Sequence, residues 1–193
     1  MSANNLERLI ADIGLRSNQE SFGLFFNQYC TRLYTFSYQI TSDKFLSEEV
    51  VSDVFTKLWT KRKELTRIKN IEAYLYKAIR NQSLSALRDS KKPVTYTQIS
   101  PEIFVTNVSP ESTLIDTELD KLIQATVDKM PKAQQMIFRL IKNDHLKYGE
   151  VAEILEISVS TIESQMVRAL KKVRLVISEY LGHSDSEYLR KSN

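Results

Sequence analysis

Residues Glu150–Arg174 read EVAEILEISVSTIESQMVRALKKVR. Two short helical patterns meet at Leu155-Glu156-Ile157-Ser158, and the second ends in a cluster of positive charge. A helix-turn-helix needs a small residue where its second helix crosses the first, and Ala152 stands there. It needs a sharp turn, which Glu156-Ile157-Ser158 supplies, and apolar anchors, which Ile162, Met166 and Leu170 supply at four-residue steps. Thr161, Ser164, Gln165, Arg168, Lys171 and Lys172 remain on the other sides of that helix. Short polar side chains near a helix N-terminus can reach base edges in the major groove, and basic ones behind them can neutralise phosphates. From Ser160 to Arg174 the net charge is +3, four basic residues against Glu163. An ordinary exposed helix end also favours Lys and Arg, because they complement the helix dipole. The whole constellation at this spacing favours a reader of duplex DNA. Glu156 sits where such turns often have a positive φ and glycine is easiest, so its side chain costs roughly 1 kcal/mol.

Upstream of the quoted stretch, Leu114, Leu119, Leu122, Ile123 and Val127 keep helical spacing. In KMPKAQQMIFRLIKN, Pro131 suits a first helical turn, and Met136, Ile137, Leu140 and Ile141 continue an apolar stripe. Residues 114–183 read as one small helical domain, followed by a polar tail, 184–193, expected to fray. Before it, DSKKPVTYTQISPEIFVTNVSPEST (89–113) holds three of the four prolines and breaks the periodicity. A flexible linker is expected over 91–113, with Ile103, Phe104 and Val105 suited to docking somewhere.

Residues 15–90 read as a second helical domain. Phe22, Phe25, Phe26, Tyr29, Leu33 and Phe36 form an aromatic stripe at helical spacing. Ser47 is expected to cap the next helix, with Glu48 and Glu49 at its positive end and Val51, Val54, Phe55 and Leu58 buried. Asn70 caps a third, NIEAYLYKAIRNQSLSALR, in which Leu75, Ala78, Ile79 and Leu87 face inward while Lys77, Arg80, Asn81 and Arg88 project elsewhere. The expected fold class is all-α: two small helical domains joined by a flexible linker, the second containing the helix-turn-helix.

Composition narrows the function. The 193 residues are 42% hydrophobic with only four Gly and four Pro, which suits packed helices. The longest apolar runs are far below a membrane span, and the start, MSANNLERLIADIG, lacks the basic and apolar blocks of a signal peptide. No membrane insertion and a cytoplasmic location are expected. Cys30 is the only cysteine and reads as a buried core thiol. It has no histidine partner for nucleophilic chemistry, and His145 and His183 lie far apart, so no catalytic residue, metal or cofactor is expected. Charge is unevenly placed. Lys57–Lys92 carries 11 Lys/Arg against three acids, a net of +8, which leaves −5 for the rest. This pattern fits a basic binding face or a solvated helix surface, and charge alone does not choose.

Four motifs in order, SEEVVSDVFTKLW, YLYKAIRNQSLSALR, MPKAQQMIF and YGEVAEILEISVSTIESQMVRALKKVR, resemble the extracytoplasmic-function (ECF) sigma factors of bacterial RNA polymerase over about residues 20–180. The resemblance implies two domains, sigma region two and sigma region four. The first would bind core polymerase and open the −10 promoter element, and the second would read the −35 element. It implies polymerase contacts at Glu49, Asp53 and Lys57, and −10 contacts at Lys77, Arg80, Asn81 and Arg88, with Asn81 near a captured non-template base. The −35 set is Thr161, Ser164, Gln165, Arg168, Lys171 and Lys172. It implies RNA polymerase core, promoter DNA and an anti-sigma factor as partners. The chain departs from the family at Glu49, where Asp is common, at Ser52, where Gln is common, at Met130 in place of Leu, and at Glu156 in place of Gly. Opening a duplex without ATP also calls for stacking and a basic groove, and Trp59, Tyr74 and Tyr76 lie in or beside the +8 stretch. Core packing serves Trp59 and Tyr74 equally well. A two-domain helix-turn-helix regulator that binds duplex DNA without polymerase is the alternative. An acidic helix beside a basic, aromatic stretch favours the sigma reading, since a sensor domain needs no strand-opening surface.

Overall fold

The computed structural model describes the backbone of residues 3–89 and 114–191, and the side chains of 5–89 and 118–182. The linker expected over 91–113 lies outside the described residues, as do the side chains of the expected tail. The chain divides into two compact units, Met1–Phe104 and Val105–Asn193.

The first unit contains α1 (Ala3–Arg16), α2 (Gln19–Thr41), α3 (Lys44–Thr60), a 3₁₀ segment (Arg62–Arg67) and α4 (Ile71–Asp89). α2, α3 and α4 pack on one another, and α1 lies against α2 and the 3₁₀ segment. Phe25, Tyr29, Leu33 and Phe36 of α2 are buried with Val50, Val54, Phe55 and Leu58 of α3 and Leu75, Tyr76 and Ile79 of α4. Aromatic edges lock the layers: Phe25 meets Phe55 with ring centres 6.0 Å apart, and Phe36 meets Tyr76 at 5.1 Å. Inside this core, hydroxyls pair across helices. Ser37 and Ser83 are 2.9 Å apart, both fully buried. The Tyr29 hydroxyl donates to Glu72 at 2.9 Å. Burial, and then the Glu72 carboxylate, hold the Tyr29 phenol well above its usual pKa range. α1 starts ahead of residue 15 and buries Leu9 and Ile13, so the unit takes in residues beyond the expected 15–90. Gly14 lets it approach: a Cβ there would stand 2.8 Å from the Thr66 methyl and 3.1 Å from the Arg62 carbonyl oxygen.

The caps decide the helix starts. Asn70 caps α4 as expected, its Oδ1 accepting from Ala73 N at 3.0 Å. Ser47, the expected cap of α3, does not. Asp43 caps α3 one turn earlier, with its Oδ1 accepting from Leu46 N at 3.1 Å. A carboxylate suits the positive helix end better, and the Ser47 hydroxyl is buried between the Asp43 carbonyl and Thr41 Oγ1.

The second unit contains α5 (Leu114–Asp128), α6 (Lys132–Lys142), α7 (Tyr148–Leu155) and α8 (Val159–Lys191), with α5, α6 and α7 all packed on α8. Pro131 stands at the cap position just ahead of α6. Gln135 closes the end of α5 by donating to the carbonyls of Val127 and Asp128 at 3.1 and 3.0 Å. The backbone of α8 stays helical through Lys191, taking in most of the stretch expected to fray. Its buried positions are Ile162, Met166, Ala169 and Val173, whereas Leu170 is only half-buried. Strict four-residue steps drift off one helix face by about 40° each, so the third anchor falls on Ala169.

The turns share one trait. Ser17, Ser42, His145 and Glu156, in the connections after α1, α2, α6 and α7, have φ of 53, 54, 56 and 57°, and among the described residues no glycine has a positive φ. Among the described residues, no helix is long and apolar enough to cross a membrane.

Candidate nucleic-acid and partner interfaces

α7 and α8 meet at Glu156, with φ 57° and ψ 44°, the left-handed conformation expected for that turn. Ala152 is buried at the crossing, and the Ile157 amide donates to its carbonyl at 3.1 Å. Ser158 starts α8: its Oγ accepts from Thr161 N at 3.2 Å and lies 2.8 Å from Thr161 Oγ1. One side of α8 is buried; Thr161, Ser164, Arg168, Lys171 and Lys172 are exposed and Gln165 is half-buried. Spacings of three and four bring these six to one surface. Two are tuned by neighbours. Ser164 Oγ donates to the Ser160 carbonyl at 2.9 Å, which leaves its lone pairs for an outside donor. Lys172 Nζ donates to Gln134 Oε1 at 3.1 Å, and Gln134 Nε2 donates to the Gln165 carbonyl at 3.2 Å. Gln134, buried on α6, thereby fixes α8 beside its polar surface.

On α4, Lys77, Asn81 and Arg88 are exposed and Arg80 is half-buried. Tyr74 and Leu84 are exposed too, at 43% and 37%. Tyr74, Lys77, Asn81, Leu84 and Arg88 follow steps of three and four, so they form one stripe opposite the buried face. Arg80 lies apart from it, about 80° round the helix. Tyr76 is 1% exposed in the core, so it has no face to offer a base. Trp59 is half-buried, its ring 5.0 Å from Phe22 and covered by the Arg62 guanidinium at 4.7 Å. Arg62 is pinned by donating to Ser17 Oγ at 2.8 Å and to the Trp59 carbonyl at 2.9 Å. Tyr74 alone among the three aromatics presents an open ring on α4. Its exposure and that of Leu84 follow from the three-helix packing, which leaves the 74–88 stripe uncovered.

On α3, Glu49, Asp53 and Lys57 are exposed at successive four-residue steps. Asp53 and Lys57 reach α4: Gln82 Nε2 donates to Asp53 Oδ2 at 3.3 Å, and Lys57 Nζ donates to Gln82 Oε1 at 2.9 Å. A pairing of residues 25 and 29 positions apart has no sequence periodicity to announce it. Between α2 and α3, on another side of α3, runs an apolar groove of about 630 Å³ lined by Phe22, Phe26, Val51, Phe55 and Trp59. Cys30 is half-buried on its wall rather than in the core, because α2 turns its Phe25–Tyr29 edge, not its Phe26–Cys30 edge, inward.

Known proteins match over most of the chain. Residues 25–92 match the family model of sigma-70 region 2, and residues 120–173 match that of sigma-70 region 4. The chain is 22% identical over 169 residues to the ECF RNA polymerase sigma factor SigW of Bacillus subtilis (strain 168), covering 82% of this chain and 90% of that one. It is 23% identical over 177 residues to the ECF RNA polymerase sigma factor SigK of Mycobacterium ulcerans (strain Agy99), covering 89% and 93%. Among solved structures, it resembles the sigma factor RpoE from Bartonella quintana, crystallised with the anti-sigma factor NepR, with a TM-score of 0.51 and 21% identity over 82% of this chain and 98% of that one.

Proposed function

The chain belongs to the ECF group of the sigma-70 family, and from that premise we propose how its two units direct core RNA polymerase to promoters and help open them. Its partners are core polymerase, promoter DNA and an anti-sigma factor. The chemistry belongs to polymerase; this chain supplies binding energy and acts in the cytoplasm, without a cofactor. Residues 15–90, extended by α1, act as region two, and 114–183 as region four. The observation that carries the reading is the solvent-facing stripe of α4 within the +8 stretch, followed in the chain by a helix-turn-helix with a polar and basic outer surface.

Each surface has a physical task. Glu49, Asp53 and Lys57 offer two acids and then a base to polymerase along one side of α3. On α4, Asn81 carries both a donor and an acceptor for the edge of an unpaired base, and the open Tyr74 ring offers a face to stack on. Lys77, Arg80 and Arg88 neutralise the displaced strand. Separating stacked bases costs a few kcal/mol per step, and stacking on protein returns about 1–3 kcal/mol per base. α8 enters the major groove of the −35 element. Ser164, its own proton committed to Ser160, meets base amino groups as an acceptor.

The direct test is binding to core polymerase. Glu49→Lys with Asp53→Lys should weaken binding by at least tenfold with an unchanged circular dichroism spectrum, since both side chains are exposed. Full affinity in that variant would remove α3 from this role. The −35 set should divide by type. Gln165→Ala should cost about 1–3 kcal/mol and relax preference at one base pair. Lys171→Ala should weaken all sequences alike and lower the salt slope by about one unit. Binding of the full chain, as holoenzyme, to a library of duplexes at several salt concentrations separates the two outcomes.

A further inference from the structure

Asp53 and Lys57 stand one turn apart on α3, where opposite charges ordinarily meet directly. Here the Gln82 carboxamide of α4 bridges them. Its two partners fix its orientation. Turned over, it would set its NH₂ against an ammonium and its oxygen against a carboxylate. A glutamate at this position could serve only Lys57, and a lysine only Asp53. Gln82 is half-buried, and the residue before it is Asn81. One helical step, about 100°, therefore separates a side chain directed at α3 from one on the outward stripe of α4.

We infer that Gln82 is a positioning residue: it holds Asp53 and Lys57 as two separate charged sites for core polymerase and ties that contact to the strand-holding face of α4. The inference rests on the assignment of α3 as the polymerase surface. Without the amide, the acid and the base are free to neutralise each other. With it, a partner that engages both charges also fixes Gln82, and so steadies the turn of α4 that carries Asn81. Linkage makes the effect mutual. A strand captured on α4 tightens polymerase binding by the same factor by which polymerase tightens strand binding.

The experiment uses the full chain, core polymerase and a single-stranded oligonucleotide carrying the non-template −10 sequence. Gln82→Met keeps length and loses both hydrogen bonds. It should keep its circular dichroism spectrum, weaken core binding about three- to tenfold, and bring the oligonucleotide's enhancement of core binding close to one. Gln82→Glu, which sets a carboxylate beside Asp53, should bind core more weakly still. Gln82→Met combined with Asp53→Asn should lose less than the sum of the two single losses, because both variants break the Gln82–Asp53 bond. Fully additive losses, or an oligonucleotide enhancement unchanged in both Gln82 variants, would overturn the inference. Asp53→Asn separates it from the reading beneath it. If Asp53→Asn weakens core binding and Gln82→Met does not, this inference alone fails. If Asp53→Asn, like the double charge reversal, leaves core binding intact, the polymerase surface itself has been misplaced.

Discussion

Asn81→Ala is expected to weaken promoter opening by about 1–3 kcal/mol, roughly 5- to 150-fold, while initial binding to closed duplex changes little. The asymmetry follows from where the side chain stands. Asn81 is exposed in the middle of the α4 stripe, between Lys77 and Arg88, so its loss opens no cavity and disturbs no core contact. What it removes is a donor and an acceptor that a base can use only once unpaired. The flanking Lys77 and Arg88 still attract the phosphates of the closed duplex. Permanganate reactivity of unpaired thymines in the holoenzyme–promoter complex measures the opening, and a filter or mobility assay on the same complex measures the binding. A bubble of normal extent and rate would show that Asn81 does not hold the opened strand.

The other large effect is structural. Met166 of α8 is 1% exposed, beside Ile162 and Ala169, which are fully buried. Met166→Ala should cost about 2–5 kcal/mol through lost transfer energy and the cavity left behind. That is a large part of what a small domain has. The loss should stay within the second unit. Hydrogen exchange on the full chain should show amides of residues 118–182 losing protection while those of α2, α3 and α4 keep theirs. Recognition of the −35 element should fail with it, although Met166 itself is buried on the side of α8 opposite its polar surface. Equal loss of protection in both units would show that they unfold as one.

How much of this the residues announce depends on the range of the interaction. The α2 stripe from Phe25 to Phe36, the Asn70 cap and the left-handed turn at Glu156 are local, and each is legible from spacing or from one side chain's chemistry. Ser47 misleads because two good caps stand within four residues, and the choice depends on which hydroxyl α2 buries; Thr41 claims that of Ser47. Leu170 misleads because a four-residue repeat approximates a 3.6-residue one over a single step and has left the face by the second. Tyr74 and Tyr76 are two residues apart in one helix, so one is core and the other surface, but which is which depends on where α2 and α3 press. The Gln82 bridge and the Gln134 tie to Lys172 join residues 25 to 38 positions apart, a register that only packed helices define.

The placement of glycine leaves mutational headroom in this fold. Four connections hold left-handed backbone with Ser17, Ser42, His145 and Glu156, each about 0.5–1 kcal/mol less easily than glycine would after its greater unfolded-state entropy is counted. Gly23, meanwhile, stands inside α2, where a Cβ would meet nothing within 4 Å and alanine would favour the helix by about 1 kcal/mol. Gly23 lies in the first unit on α2, a different helix from the one that carries the α4 stripe. The unused stabilisation at Gly23 is about 1 kcal/mol, whereas at Ser17 the hydroxyl that accepts from Arg62 offsets what glycine would gain. That reserve could absorb a destabilising change elsewhere in the unit, so a lineage carrying Gly23→Ala could explore repacking of the α2–α3–α4 core that the present chain would not survive folded.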